Sequence, residues 1–299
     1  MVLKGEHSMR QIELKALAKI NLGLDVLGKR ENGYHDVRMI MQSIYLYDDV
    51  KIEKKDTPGV ELSSNLYFLP TGEGNIAYKA AQMLIEEFGI EEGVKITLNK
   101  HIPVAAGMAG GSTNAAAVLF GMNRLFGLKL SQQDLMDRGV KLGADVPYCI
   151  MRGTVLAEGI GEELKTLPAM PKCTVLIAKP PISVSTKAVY EALDSSAIVD
   201  HPDIDGLIDA LNRGDLHDVA SRMGNVLEDV TIPMHPEVAE IKDVMKEYGA
   251  LNAMMSGSGP TVFGLFENKM AARKAQSAIR ERNLAKQVYV TNIHSARRN

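Results

Sequence analysis

The amino-acid sequence predicts an α+β fold in two domains, residues 9–165 and 172–299. Apolar residues that alternate along the chain predict strands in both halves, for example at residues 11–27 and 174–178. Apolar residues at four-residue spacing predict helices, as in residues 75–89. Because these strands and helices do not follow one another in regular βαβ order, layered α+β packing is favoured over a doubly wound parallel sheet.

The N-terminal half begins with two extended segments, residues 11–27 and 37–52, separated by a turn-rich stretch. Gly89 is a suitable stop for the first helix, and Ser131 with Asp134 is a predicted capping pair. The further elements predicted in this half are, in order, a helix at 75–89, a strand at 94–98, a helix at 112–126 and a helix from Ser131 to about Gly143.

The C-terminal half begins after a domain boundary near residues 165–172, which the sequence marks only weakly. Its first strand is ended by two prolines, because proline has no N–H group to donate to a sheet. The predicted elements are, in order, a strand at 174–178, amphipathic helices around 204–211 and 238–245, two strands flanking 256–259, a helix at 269–282 and a strand at 287–293.

Composition excludes several classes of protein. The 299 residues are 45% hydrophobic and 24% charged, as in an ordinary globular chain, and the net charge is −3. That charge gives no overall field for nucleic acid or an anionic membrane, so an anionic ligand must be held locally. No apolar run approaches the roughly 18 residues of a membrane helix, and residues 1–8 lack the apolar core of a signal peptide.

These observations predict a cytoplasmic protein whose regular pattern starts near Met9, with residues 1–8 as a leader or an added segment. Cys149 and Cys173 each lie in an apolar neighbourhood and outside any CxxC or Cys/His cluster. We therefore expect two buried thiols, with neither a metal site nor a disulfide.

The strongest local signal is PVAAGMAGGSTNAA at residues 103–116, between a predicted strand and a helix. Its glycines remove side chains where a backbone approaches a ligand closely, and Ser112 follows at the opening of the helix. A helix N-terminus presents free N–H groups and partial positive charge, so it binds phosphate. The segment is neither GxxxxGK[ST] nor GxGxxG. Taken alone, it also fits a tight turn with a capping serine.

Four further motifs carry candidate functional residues. AKINL at 18–22 places Lys19 and Asn21 on one face of a strand, and GKRENGYH at 28–35 ends in Tyr34 and His35. LGADVP at 142–147 contains Asp145, and MMSGSGPTVF at 254–263 is a second glycine-rich turn. Each motif alone has an ordinary structural explanation: a solvated strand face, a helix cap or a hairpin turn.

Together and in their order along the chain, the four motifs and the glycine-rich loop resemble the GHMP kinases over nearly the whole chain. The GlyTyrHis segment is similar to one branch, whose acceptor is a cytidine diphosphate methylerythritol. Ala105 and Ala109 stand where many members have glycine. The resemblance implies a two-domain GHMP kinase fold, with a mixed sheet and helices in the N-terminal substrate/ATP domain and a ferredoxin-like sandwich in the C-terminal domain.

The resemblance also implies an ATP-dependent kinase that needs Mg²⁺ and phosphorylates the 2-hydroxyl group of this acceptor. Asp145 is then the base, Lys19 stabilises that carboxylate and the transferred group, and Asn21 orients the acceptor. Ser112 is the candidate Mg²⁺ ligand. The residues implied for ATP are Pro103, Ala106, Gly107, Met108, Ala109, Gly110, Gly111, Ser112, Thr113 and Asn65. Those implied for the substrate are Tyr34, His35, Thr186, Tyr190, Gly257 and Ser258.

Two alternatives remain open at the level of sequence. One is another GHMP kinase, of the mevalonate or homoserine type, against which the GlyTyrHis segment argues. The other is a non-catalytic ligand sensor on the same fold, since fold alone does not fix function. The presence of both Lys19 and Asp145 disfavours the sensor. We expect a small-molecule substrate, no nucleic acid or membrane partner, and a monomer or weak homodimer.

Overall fold

The computed structural model describes residues 9–193, 198 and 200–295; the predicted leader, residues 1–8, and the last four residues of the predicted C-terminal domain lie outside them. Its strands are β1 Gln11–Lys29, β2 His35–Lys55, β3 Val60–Ser64, β4 Gly93–Asn99, β5 Thr154–Glu158, β6 Glu163–Thr166, β7 Thr174–Lys179, β8 Gly224–Asn225, β9 Asn252–Met255, β10 Val262–Phe266 and β11 Gln287–Asn292. Its helices are α1 Ile76–Phe88, α2 Gly110–Phe126, α3 Gln132–Gly139, α4 Val146–Met151, α5 Thr186–Ala192, α6 Ile204–Arg213, α7 Leu216–Ser221, α8 Glu228–Met234, α9 Glu237–Glu247 and α10 Lys269–Glu281.

Contacts divide the chain into two compact units. Among the described residues, the first contains residues 9–16, 48–101 and 111–150, and the second contains residues 17–47, 102–110, 151–193, 198 and 200–295. The long strands β1 and β2 each contribute residues to both units. The division near residues 165–172 stays a prediction of the sequence.

In the first unit, β3 pairs in parallel with β4, and β4 pairs antiparallel with the end of β2. Helix α1 begins and ends where its sequence indicates: Asn75 accepts a hydrogen bond from the Ala77 N–H, and Gly89 closes the helix in the left-handed conformation. The predicted capping box of Ser131 and Asp134 is also present. Its helix, α3, ends at Gly139, four residues before the predicted stop at Gly143.

In the second unit, β1 lies beside β2 and pairs in parallel with the short strand β8, while β5 joins β2 to β6. An antiparallel sheet in the order β11-β7-β10-β9 completes the unit. The shared core includes Ile20 and Leu22 from β1, Phe263 from β10 and Leu207 from α6. The apolar residues of β1 therefore fix its opposite, polar face, which carries the candidate site.

The two cysteines are free and buried, as the sequence predicts. Burial raises the pKa of the Cys173 thiol to about 12, so this thiol stays protonated and unreactive. Among the described helices, none combines the length and apolar character that crossing a bilayer requires.

Candidate active site

The centre of the site in the second unit is a buried pair on β1. Lys19 Nζ donates a hydrogen bond of 2.8 Å to Asn21 Oδ1, and Asn21 Nδ2 contacts Met39 Sδ at 3.3 Å. The exposed fractions of Lys19 and Asn21 are 5% and 0%. Lys19 forms no salt bridge within the described residues of this unit. Its buried positive charge is therefore suited to an anionic ligand, since burying a charge without an opposite charge beside it is costly.

The first glycine-rich loop leads into α2 through three left-handed residues. Ala105, Gly107 and Ala109 have φ values of 50°, 68° and 55°. Between them, the side chains of Ala106 and Met108 are buried in the core of the second unit. The loop therefore presents mainly backbone to a ligand. Left-handed residues at alternate positions are a feature of turns whose successive N–H groups bind anions.

This loop contacts both β1 and the second glycine-rich loop. The Lys19 N–H donates to the Met108 carbonyl at 3.3 Å, and the Ser256 hydroxyl donates to the Gly107 carbonyl at 2.9 Å. A Cβ atom at Gly107 would lie 2.0 Å from the Ser256 carbonyl oxygen, and one at Gly257 would lie 3.6 Å from Asn21 Oδ1. The absence of a side chain at Gly107 is therefore what lets the two glycine-rich loops meet, whereas a Cβ atom at Gly257 would make an ordinary contact with Asn21.

The predicted substrate residues of the second unit form a connected series. The hydroxyl oxygens of Thr186 and Ser258 are 2.8 Å apart. Thr186 and Tyr190 lie one turn apart on α5, so their side chains share a face. The Tyr190 ring then contacts the His35 ring, with centroids 5.3 Å apart and planes at 42°. The hydroxyl groups of Ser258 and Thr186 and the rings of Tyr190 and His35 therefore form one connected row that begins at the second glycine-rich loop.

Tyr34 and His35 have different environments. Tyr34 is 59% exposed, and its backbone N–H donates to Asn32 Oδ1 at 3.1 Å within the turn. His35 is 7% exposed. Burial lowers the pKa of the His35 ring, and the nearby Lys29 charge lowers it further. A neutral imidazole ring and an open phenol ring suit recognition of an uncharged heterocycle.

The start of α2 belongs to the first unit from residue 111 onward. Gly111 is exposed and Ser112 is partly exposed, whereas Thr113 and Asn114 are buried. Thr113 and Asn114 therefore face protein, and the helix offers its first N–H groups and the Ser112 hydroxyl to a ligand. In the described part of the chain, no group of three His, Cys, Asp or Glu side chains is arranged to hold a metal ion.

A buried polar network anchors this helix, and the sequence did not indicate it. Lys100 Nζ contacts Asp48 Oδ2 and donates to Asn114 Oδ1 at 2.7 Å, while Asn114 Nδ2 donates to Asp48 Oδ2 at 2.9 Å. Desolvation lowers the pKa of Lys100. The one sequence signal was a pair of acidic residues, Asp48 and Asp49, directly after the mostly apolar stretch of β2 at residues 44–47. The Asn114 side chain therefore makes these hydrogen bonds within the protein interior.

Asn65, predicted as an adenine contact, is held by the same segment. Its Oδ1 accepts the Lys100 N–H at 2.8 Å, and its Nδ2 donates to the Lys100 carbonyl at 3.2 Å. These bonds use the amide to join β3 to the end of β4. A contact between Asn65 and adenine stays a prediction.

Asp145 immediately precedes α4 and is partly exposed. Its carbonyl oxygen accepts the Cys149 N–H at 3.0 Å as the helix begins. Within the described residues of the first unit, its carboxylate has no hydrogen-bond or ion-pair partner. The Asp145 carboxylate therefore does not cap α4, which was the alternative that the sequence left open. It remains available for a ligand.

Two family models match the chain. Residues 75–153 match the GHMP kinases N terminal domain, and residues 207–285 match GHMP kinases C terminal. These segments contain the first glycine-rich loop with Asp145, and the second glycine-rich loop, respectively.

Relatives cover nearly the whole chain. A protein of Lachnospira eligens named 4-diphosphocytidyl-2-C-methyl-D-erythritol kinase is 56% identical over 95% of this chain and 98% of its own length. A crystal structure of 4-(cytidine 5'-diphospho)-2C-methyl-D-erythritol kinase matches with a TM-score of 0.82 and 32% identity, over 95% of this chain and 100% of that chain. Homoserine kinase from Cytophaga hutchinsonii matches with a TM-score of 0.77 and 23% identity, over 98% of each chain, which shows a shared fold.

Proposed function

Because the chain belongs to the 4-diphosphocytidyl-2-C-methyl-D-erythritol kinase family of GHMP kinases, we propose that it transfers the γ-phosphoryl group of ATP to the 2-hydroxyl group of that cytidylated methylerythritol, with Lys19, Asn21 and Asp145 as catalytic residues. The reaction belongs to the non-mevalonate route to isoprenoid precursors. It requires two anionic ligands to be held side by side, although the protein itself carries a net negative charge.

The observation that supports this proposal most directly is the meeting of Lys19, Gly107 and Gly257 in the second unit. One buried cation lies beside two backbone loops that glycine makes accessible. Phosphoryl transfer depends mainly on positioning and on stabilisation of charge that spreads over the transferred group. A buried ammonium group beside the backbone of two glycine-rich loops supplies both.

We assign the chemical steps as follows. Asp145 accepts the proton of the acceptor hydroxyl group. Its carboxylate is free to do so, because it has no hydrogen-bond or ion-pair partner among the described residues of the first unit. Lys19 stabilises the negative charge on the transferred phosphoryl group. Asn21, whose amide oxygen fixes Lys19 Nζ at 2.8 Å, keeps that ammonium group in place. The phosphoryl group then leaves ADP and forms a bond to the substrate oxygen.

The ATP phosphates are assigned to the backbone of residues 107–111 and to the start of α2. Mg²⁺ accompanies ATP, neutralises phosphate charge and makes few bonds to protein. The Ser112 hydroxyl, at the partly exposed opening of α2, is the candidate protein ligand. Among the described residues no group of three carboxylate, imidazole or thiol side chains is arranged for a metal ion, so the Ser112 hydroxyl would be one of few protein groups to hold Mg²⁺.

The cytidine part of the acceptor is assigned to Tyr34, His35 and Tyr190. The neutral His35 ring offers a hydrogen bond to the base, and the tyrosine rings offer faces for stacking. Thr186 and Ser258, whose hydroxyl oxygens are 2.8 Å apart, are placed to bind the adjoining polar part of the substrate.

The relatives favour this acceptor over mevalonate or homoserine, because the closely similar sequences carry the name of the cytidylated compound. They also favour an enzyme over a ligand sensor. We place the enzyme in the cytoplasm, as a monomer or weak homodimer.

A substrate panel tests the proposal. ADP release is measured with Mg-ATP and, in separate reactions, the cytidylated methylerythritol, mevalonate, homoserine or no acceptor. Release that requires the cytidylated compound supports the assignment. Equal release with another alcohol would reassign the substrate, and binding of ATP without release in any reaction would favour the sensor.

A further inference from the structure

Asn225 is a buried polar residue to which nothing above gives a role. It lies on the two-residue strand β8, where it pairs with Leu24 of β1, and it is 7% exposed. The same strand β1 carries Lys19 and Asn21. The backbone of Asn225 is therefore fixed to the strand at the centre of the site.

The side chain of Asn225 holds the second glycine-rich loop. Its Nδ2 donates hydrogen bonds of 2.9 Å to the carbonyl oxygens of both Met255 and Gly257, and its Oδ1 accepts the Leu227 N–H at 3.0 Å. Both amide protons and the amide oxygen are thus used. A primary amide is the neutral side chain that offers two donors and one acceptor in this arrangement.

These bonds determine where Gly257 lies. The Gly257 backbone lies against the Gly107 carbonyl oxygen and Asn21 Oδ1, which would be 3.3 Å and 3.6 Å from a Cβ atom at this position. Asn225 therefore connects β1 to the loop through its side chain as well as its backbone. Displacement of the Gly257 carbonyl would shift the loop relative to Lys19 and Asn21.

Other contacts show that the rest of this segment has its own support. The Met255 N–H donates to Glu228 Oε1 at 2.8 Å, and Lys242 Nζ donates to Glu228 Oε2 at 2.5 Å. Neither this ion pair nor the pairing of β9 with β10 uses the Asn225 side chain, so we expect the sheet to keep its register when Asn225 is changed. The effect of a change at Asn225 is then concentrated at residues 256–259.

We propose that Asn225 is a positioning residue for phosphoryl transfer, which orders the second glycine-rich loop against β1 through the Met255 and Gly257 carbonyl groups. The proposal rests on the function proposed above, because it assigns this loop to the reacting groups. An ordinary core asparagine would contribute to stability alone. A positioning residue affects turnover in protein that is fully folded.

The test variant is Asn225→Asp, which keeps the shape and the acceptor oxygen but puts a carboxylate oxygen opposite two carbonyl oxygens. We expect kcat to fall about 100-fold, the scale of a misplacement of about 1 Å. KM for both substrates stays within about threefold, as when an interaction of the transition state is removed. Amide hydrogen exchange at residues 256–259 becomes faster in the protein without substrates.

Asn252→Asp is the matched control, at the opposite end of β9. Asn252 Nδ2 donates to the Ala220 carbonyl at 2.8 Å, and its Oδ1 accepts the Ala253 N–H at 2.9 Å. The same chemical change is made there, on the strand that ends at Met255 but away from the loop. We expect kcat within about twofold of wild type, since no group at the proposed site is displaced.

Asn225→Ser keeps one donor and serves if the aspartate variant does not fold; its kcat is expected between those of Asn225→Asp and wild type. Unchanged kcat in folded Asn225 variants, or an equal loss in Asn252→Asp, would overturn the proposal. If wild-type protein has no kinase activity, the proposed function fails separately. The exchange rates then decide alone: unchanged exchange at residues 256–259 in Asn225→Asp overturns the role of the asparagine.

Discussion

The Ser256 hydroxyl group donates a hydrogen bond of 2.9 Å to the Gly107 carbonyl oxygen, across 149 positions of the sequence. This bond joins the two glycine-rich loops of the second unit at a point where Gly107 has no room for a side chain. Gly107 lies in the left-handed conformation, with a φ of 68°. The loops therefore form one backbone surface beside Lys19, and the surface depends on glycine at a single contact.

Gly107→Ala tests that dependence. A Cβ atom would lie 2.0 Å from the Ser256 carbonyl oxygen, and backbone cannot yield as a flexible side chain can. We expect a loss of about 2–4 kcal/mol of unfolding free energy, from steric overlap and left-handed strain together. We also expect kcat/KM to fall at least about 100-fold. Urea unfolding and steady-state kinetics measure the two effects.

Gly214→Ala is the control, because Gly214 has nearly the same φ, 67°, with nothing within 4 Å of an added Cβ atom. It should lose only about 1 kcal/mol and keep normal kcat/KM. Equal kinetic effects of the two variants would show that the contact with Ser256 is unimportant.

Ala105→Gly and Ala109→Gly should stabilise the protein. Both alanines have positive φ values, 50° and 55°, which cost about 1–2 kcal/mol for a residue with a Cβ atom. Greater freedom of glycine in the unfolded chain offsets about half of this gain. We expect each variant to gain about 0.5–1 kcal/mol in urea unfolding. Ala271→Gly, within α10, should instead lose about 1 kcal/mol; a loss at positions 105 and 109 as well would contradict the predicted strain.

Tyr190→Ala should weaken binding of the cytidylated substrate. Stacking of a base on an aromatic ring contributes about 1–3 kcal/mol, so KM for this substrate should rise about tenfold or more. KM for ATP should stay within about twofold. Tyr45→Ala is a matched control, since Tyr45 also contacts a histidine ring, that of His294, with centroids 5.0 Å apart. Equal increases in KM for both substrates would remove Tyr190 from the base site.

His35 should make stability depend on pH. Burial lowers its folded-state pKa below the ordinary 6.5, so below pH 6.5 the unfolded chain binds a proton that the folded protein does not. The stability due to neutral His35 is therefore complete above pH 6.5 and is lost as pH falls through the folded-state pKa. His35→Asn should lose less unfolding free energy than wild type between about pH 7.5 and about pH 5.5.

Asn32→Ala is the comparison for His35, because Asn32 lies in the same turn and carries no titratable group. Its loss of unfolding free energy on acidification should match that of wild type. A loss in His35→Asn as large as in wild type would show that His35 is not the source.

Lys19→Met and Asp145→Asn test the chemical roles. Each should reduce kcat by about 1000-fold or more while the protein stays folded, because a group that stabilises charge or accepts a proton is removed. Circular dichroism checks the fold. Turnover like that of wild type in either folded variant would eliminate the role assigned to that residue.

The sequence predicted the elements whose signals are local. Gly89, Ser131 and Asp134 act as the caps that their sequence positions indicate, and α1 begins directly after its predicted start, Asn75. The long alternating pattern of β1 also identified the face shared by Lys19 and Asn21. Short elements such as β8 and α7 were not predicted, because two to six residues carry too little periodicity.

The site was predicted only as a set of motifs, since contacts between distant residues leave no pattern in one sequence. Nothing in the sequence indicates that the Ser256 hydroxyl group donates to the Gly107 carbonyl, or that Asn225 donates to the Gly257 carbonyl. The Asp48–Lys100 network was missed for the same reason. Alanine at positions 105 and 109 was noted as a departure from glycine, and the structure gives the consequence, a left-handed backbone with side chains.

³¹P NMR of the purified protein with Mg-ATP and the cytidylated methylerythritol tests the proposed reaction most directly. We predict a new phosphomonoester signal, formed in equal amount to ADP, and no such signal when mevalonate or homoserine replaces the acceptor. A phosphomonoester formed from mevalonate or homoserine, with none from the cytidylated compound, would contradict the assignment of Tyr34, His35 and Tyr190 to a cytosine base.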